Sequence, residues 1–92
     1  MKARDEYKRT LDAKVGWWCA HVGRWTQESV ERYELLVQAY QNARRRLYLQ
    51  EPDELTSYSL FVRLEDTESV SDRIERCEKW ESGEIAAMRA AL

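Results

Sequence analysis

The chain has 92 residues with three Gly and one Pro, four strong breakers where average usage of about 7% Gly and about 5% Pro predicts about eleven. That shortage disfavours an all-β sandwich or barrel, which needs turn chemistry roughly every 8–12 residues, and the length supplies a single core. Fifteen Lys and Arg against seventeen Asp and Glu, net −2, lack the basic excess that phosphate neutralisation requires, and 43% hydrophobic with 35% charged residues fits neither a disordered nor a membrane-spanning chain.

The expected fold class is all-α: a small helical bundle built on a long antiparallel helix hairpin, one helical domain over 1–92 with helices at about 3–23, 27–50, 53–65 and 69–91. In the first helix Tyr7, Leu11, Val15, Trp18, Val22 and Trp25 fall within about 80° at 100° per residue, which predicts that they form its core stripe. Gly23 is a plausible C-cap, and Thr26 followed by Glu28 and Glu31 supplies an N-cap and acidic first turns for the next helix. So short a connection predicts antiparallel neighbours.

The second helix carries Tyr33, Leu36, Val37, Tyr40, Ala43 and Leu47 on one stripe, with neither Gly nor Pro inside it. Glu51-Pro52-Asp53-Glu54 then stops it and resembles a new helix start. Residues 57–65 are ambiguous. Tyr58, Leu60, Val62 and Leu64 alternate as in a strand, whereas Leu55, Tyr58 and Val62 share a helical face; a short helix is preferred, since one strand makes no sheet unless two chains pair it. Val70, Ile74 and Cys77 set up the last helix. Ser82-Gly83 is expected to break or bend it, although Ile85, Met88 and Leu92 resume the same phase.

No constellation carries catalytic chemistry. Cys19 and His21 lie about 200° apart on a helix and cannot chelate one ion, no C-x-x-C or H-x₃-H pair exists, and every nucleophile–histidine array would have to borrow His21. Gly-rich phosphate loops are missing. The chain is therefore expected to be no enzyme, with no cofactor and no metal. His21 reads as a side chain at the negative end of its helix dipole. Cys19 and Cys77 read as buried free thiols.

Arg44-Arg45-Arg46 is the main basic run, but three consecutive helix residues fan over about 200° and cannot form one patch. Arg44 borders the core stripe and Arg46 lies far from it. Glu81 falls on the stripe of the last helix if that helix runs unbroken, where a lone carboxylate would need a partner; a break at Ser82-Gly83 that exposes it is the preferred expectation, an ion pair with an arginine the alternative.

The strongest interaction signal is Trp17, about 120° from the centre of the first stripe and surrounded by Ala13, Gly16 and Ala20, where mid-helix Gly16 costs about 1 kcal/mol against Ala unless close packing repays it. Trp80 stands similarly off the stripe of the last helix, and large aromatics are enriched in interface anchors. The expected protein-binding residues are Trp17, Ala13, Gly16, Ala20 and Trp80, with Arg44 and Arg45 facing an acidic partner. The leading functional expectation is a small cytoplasmic, non-catalytic protein–protein interaction module that binds a protein partner or a second copy as a homodimer. A stoichiometric inhibitor of a larger complex, in the manner of small phage proteins directed against host defence, is one form of it. The alternatives are a nucleic-acid-binding helical protein using Arg24 and Arg44–Arg46, and a small-ligand sequestering oligomer or enzyme with an inter-subunit site. Membrane partners are not expected.

Overall fold

The computed structural model describes residues 2–51 and 68–92. Among them it contains three helices, α1 Ala3–His21, α2 Gln27–Gln50 and α3 Val70–Ala90, so the chain is all-α and built on a long hairpin as expected. The expected helix at 53–65, with its strand alternative at 57–65, lies outside the described residues.

Each helix is delimited by local chemistry. Asp5 and Glu6 occupy the first turn of α1, where the exposed amides favour negative charge. Beyond its C-cap, Val22, the chain turns through Gly23 at φ 81°, a left-handed conformation that a Cβ disfavours. Thr26 then opens α2 with a reciprocal cap: the Ser29 amide donates to Thr26 Oγ1 at 3.2 Å, and the Thr26 amide donates to Ser29 Oγ at 2.8 Å. Ser69 caps α3 by accepting from the Asp72 amide at 3.1 Å. Ser82-Gly83 does not break α3, contrary to expectation. A lone Gly costs about 1 kcal/mol in a helix, which the burial of Cys77 before it and Ile85 after it offsets.

Ion pairs from Arg45 to Glu78, Arg44 to Glu81 and Glu34 to Arg89 descend α2 as they climb α3, so these two helices are antiparallel and α3 runs in the direction of α1. Two apolar clusters fill the interior. Ala3, Tyr7, Tyr40, Leu47 and Ile74 form one, with Leu11, Tyr48 and Val70 against it. Val30, Tyr33, Val37 and Ile85 form the other near the α1–α2 turn, with Trp17, Trp25 and Met88 against it. Leu47 and Val30 are fully buried, worth about 1.5–3 kcal/mol each relative to exposure.

The phase of α1 differs from the sequence expectation. The face turned inward carries Ala3, Tyr7, Thr10, Lys14, Trp17 and His21, whereas Val15, Trp18 and Val22 of the expected core stripe are exposed. The rotation is about 80° at 100° per residue. Its cause lies in the partners that α2 offers. Tyr7 and Tyr40 share a hydrogen bond of 3.1 Å with ring centroids 5.3 Å apart, and Trp17 Nε1 donates to the Ser29 carbonyl at 3.0 Å. Thr10 Oγ1 is satisfied by its own helix, through the carbonyls of Glu6 and Tyr7. A face rich in aromatics with paired polar tips buries more area than one led by valines.

Candidate interaction surface

Between the two apolar clusters lies a polar layer contributed by all three helices. Arg44 of α2 forks both terminal nitrogens onto Glu81 of α3, at 2.7 and 3.2 Å, and Gln41 Nε2 donates to the same carboxylate at 3.1 Å. Both ion-pair side chains are nearly buried, 7% and 10% exposed. Glu81 is thus paired inside the bundle, the alternative to the exposed position that was preferred from the sequence. Lys14 of α1 completes the layer: its Nζ lies 4.8 Å from the Tyr40 ring centroid, and Arg44 Cζ lies 4.9 Å from the same centroid.

Burial disfavours the charged states here. It lowers the Lys14 pKa, against the pull of Glu81 and Glu84. Burial also opposes the Arg44 charge, but the Glu81 hydrogen bonds and field outweigh it and the net shift is upward. The Tyr40 hydroxyl is pushed far up by burial and by its tyrosine neighbour, the Tyr33 hydroxyl up to about 12 by burial and the fields of Glu84 and Glu81, and the Cys77 thiol up by burial. The shifts of Arg44, Tyr40, Tyr33 and Cys77 thus run away from neutrality, and that of Lys14 runs toward it.

At the turn, Trp17, His21, Trp25 and Tyr33 form a ladder with successive centroid separations of 4.2, 5.6 and 5.3 Å. His21 Nδ1 lies 2.8 Å from the Trp17 carbonyl, so it is the protonated nitrogen of that hydrogen bond.

The expected binding residues separate accordingly. Trp17 is half-buried and engaged by Ser29 and His21 within the chain, so it does not head an open face. Ala13, Gly16 and Ala20 are exposed on the outer side of α1, and a Cβ on Gly16 would meet nothing within 4 Å. Close packing is therefore not why Gly16 is a glycine, and nothing in the structure explains it. The Ala20 carbonyl accepts from Arg24 Nε at 2.9 Å. Arg44 is buried on Glu81, Arg45 is exposed and paired with Glu78, and Arg46 reaches Glu6 of α1. Three arginines directed at three carboxylates of their own chain cancel most of the charge that the nucleic-acid alternative needs. Cys19 is exposed rather than buried, because it sits on the outward flank of α1; Cys77 is buried.

Among the described residues, part of the exposed surface is apolar. Val15, Trp18 and Val22 are 44%, 37% and 51% exposed, and with half-buried Leu11 they form a seam at 4-3-4 spacing, the repeat by which one helix offers knobs to another. Trp80 is 68% exposed. At 100° per residue it lies about 40° from Glu84 and about 160° from Glu78 on α3. Glu78, Glu81 and Arg89 pair with α2, so Trp80, about 160° from Glu78, stands on the flank of α3 turned away from the Arg45 pair. On α1 the seam centres about 90° from the face that packs on α2, and its Leu11 borders the cluster of Tyr7, Tyr40, Leu47 and Ile74. Trp80 and the seam thus both lie on flanks that α2 does not cover. Of these residues, sequence reasoning singled out Trp80 alone. The available signal was that α1 has two adjacent seams at helical spacing, wider than one packing partner covers.

A notch of about 110 Å³ between α2 and α3, rimmed by Glu34 and Arg89, is small beside the roughly 300 Å³ at which ligand pockets begin. Among the described residues no group of three His, Cys, Asp or Glu side chains converges to hold a metal, and no helix is long and apolar enough to cross a membrane. Comparison with protein-family models, with curated proteins and with solved structures finds no match.

Proposed function

We propose that this chain is a non-catalytic protein–protein interaction module that acts by occupancy, with the outward seam of α1 as its contact surface. The observation that carries the reading is the exposure of Val15, Trp18 and Val22 at coiled-coil spacing on a helix whose adjacent, inward seam is already packed on α2. The ion-paired arginines are consistent with a rigid scaffold behind that surface. Acting by occupancy, such a module inhibits a larger complex stoichiometrically, with a titration breakpoint at a fixed molar ratio rather than turnover.

The test is a double variant, Val15→Glu/Val22→Glu. Both positions are about half exposed, so helix content and thermal midpoint should stay close to wild type, while binding to a protein from the source cells, or to a second copy, should be lost. Binding undiminished in a folded double variant would overturn the reading.

A further inference from the structure

We infer that the occupant of the open face is a second copy of this chain, docked antiparallel, α1 against α1, about a two-fold axis between Val15 and Trp18. This deepens the interaction reading and rests on it. In an isologous contact each patch must match its own reverse, and a seam spaced 4-3-4 reads the same in both directions. The antiparallel register that uses the whole seam sets Leu11 against Val22 of the second copy and Val15 against its Trp18, each layer one large and one small side chain, as interdigitation requires.

Charge selects the same register. Asp12 sits on the solvent flank of the seam, and here it falls opposite Cys19 of the second copy, an exposed free cysteine. Sliding the pairing down by one heptad would set Asp12 against its own symmetry mate and put Lys8 into the seam, against Trp18. A net charge of −2 adds little repulsion between copies.

The area is adequate. Taking about 250 Å² for a Trp and about 150 Å² for a Val, the open fractions of Val15, Trp18, Val22 and Trp80 amount to roughly 400 Å² of apolar surface per chain. Two copies would cover about 800 Å². At the roughly 60% apolar share of such interfaces that implies about 1,300 Å² in all, inside the range of specific dimers. The seam without Trp80 would fall short of it, so the proposal needs Trp80 at the edge of the contact.

Sedimentation equilibrium of the full chain from about 1 to about 500 μM brackets such a contact. The expected result is a monomer–dimer equilibrium whose dissociation constant rises at least tenfold in Val15→Glu/Val22→Glu and also in Trp80→Arg. The second substitution lies at a site open enough to leave folding alone, and keeps the test valid if the first variant unfolds. A wild-type chain that stays monomeric throughout overturns the second copy, as does a dimer indifferent to Trp80→Arg. The two readings fail differently. If the monomeric chain captures a protein from source-cell extract and Val15→Glu/Val22→Glu does not, the interaction reading survives with another occupant; if both bind equally, both readings fall.

Discussion

Removal of the Glu81 carboxylate in Glu81→Ala is the sharpest test of how the bundle is held. Arg44 and Glu81 are 7% and 10% exposed, and two Arg44 nitrogens and the Gln41 amide end on that one carboxylate. Arg44 Nε is already buried without a hydrogen-bond partner among the described residues, so the guanidinium has no spare satisfaction. Its loss leaves a buried cation beside a second, Lys14, whose charge Glu81 also supports. Breaking one side of a buried pair costs about 3–5 kcal/mol, set against a total stability of about 5–14 kcal/mol at this length. Replacing both partners by apolar residues, Arg44→Met with Glu81→Leu, should recover most of it, ending within about 2 kcal/mol of wild type, because no buried charge of the pair is left unpaired. Urea unfolding at neutral pH, followed by circular dichroism and fitted with a common slope, gives both numbers. A Glu81→Ala cost below about 1 kcal/mol, or a double variant as unstable as the sum of its single variants, would refute the reasoning.

Other expectations follow from local features. Gly16→Ala should stabilise the chain by about 0.5–1 kcal/mol, since the added methyl meets nothing within 4 Å, whereas Gly23→Ala at φ 81° should destabilise it by about 1 kcal/mol or more; thermal melts of the pair should move in opposite directions. Thr26→Ala removes the acceptor for the Ser29 amide and should cost about 1 kcal/mol in the same assay. Tyr33 has its hydroxyl raised from 10.0 to about 12 in the folded chain, and Tyr40 moves the same way. Because the folded state holds these protons more tightly, the contribution of Tyr33 is complete below the unfolded value and is lost as pH climbs from about 10 to about 12, and that of Tyr40 is lost in the same direction. Phenolate absorbance should therefore stay incomplete until the helical signal falls, and full ionisation of the tyrosines while the chain is still helical would contradict the burial of Tyr33 and Tyr40.

Much of the architecture was legible in the residues. The run from Gln27 to Gln50 has no breaker and opens on Thr26, and α2 has those bounds. The phase of α3 was visible in Val70, Ile74, Cys77 and Ile85. The interruption at Ser82-Gly83 was over-read, because a propensity cost near 1 kcal/mol yields to the burial gained on both sides of it. The inward face of α1 was not legible from apolar letters alone. Thr10, Lys14 and His21 count as polar, yet each is accommodated through a carbonyl of its own helix or the face of Tyr40. Trp17 was singled out for the right reason, a large aromatic off the main stripe, but the carbonyl that receives its indole belongs to Ser29, across a turn whose geometry no spacing rule contains. That rotation moved the open surface from Trp17 to Trp18.

The indole N–H signals of the four tryptophans report on that surface directly, one residue at a time. In a dilution series of the uniformly ¹⁵N-labelled chain, Trp18 and Trp80 should shift or broaden as concentration rises, while Trp17, bonded to the Ser29 carbonyl, keeps its position. If Trp17 moves with concentration and Trp18 and Trp80 stay fixed, the outward seam of α1 is not the surface through which this protein associates.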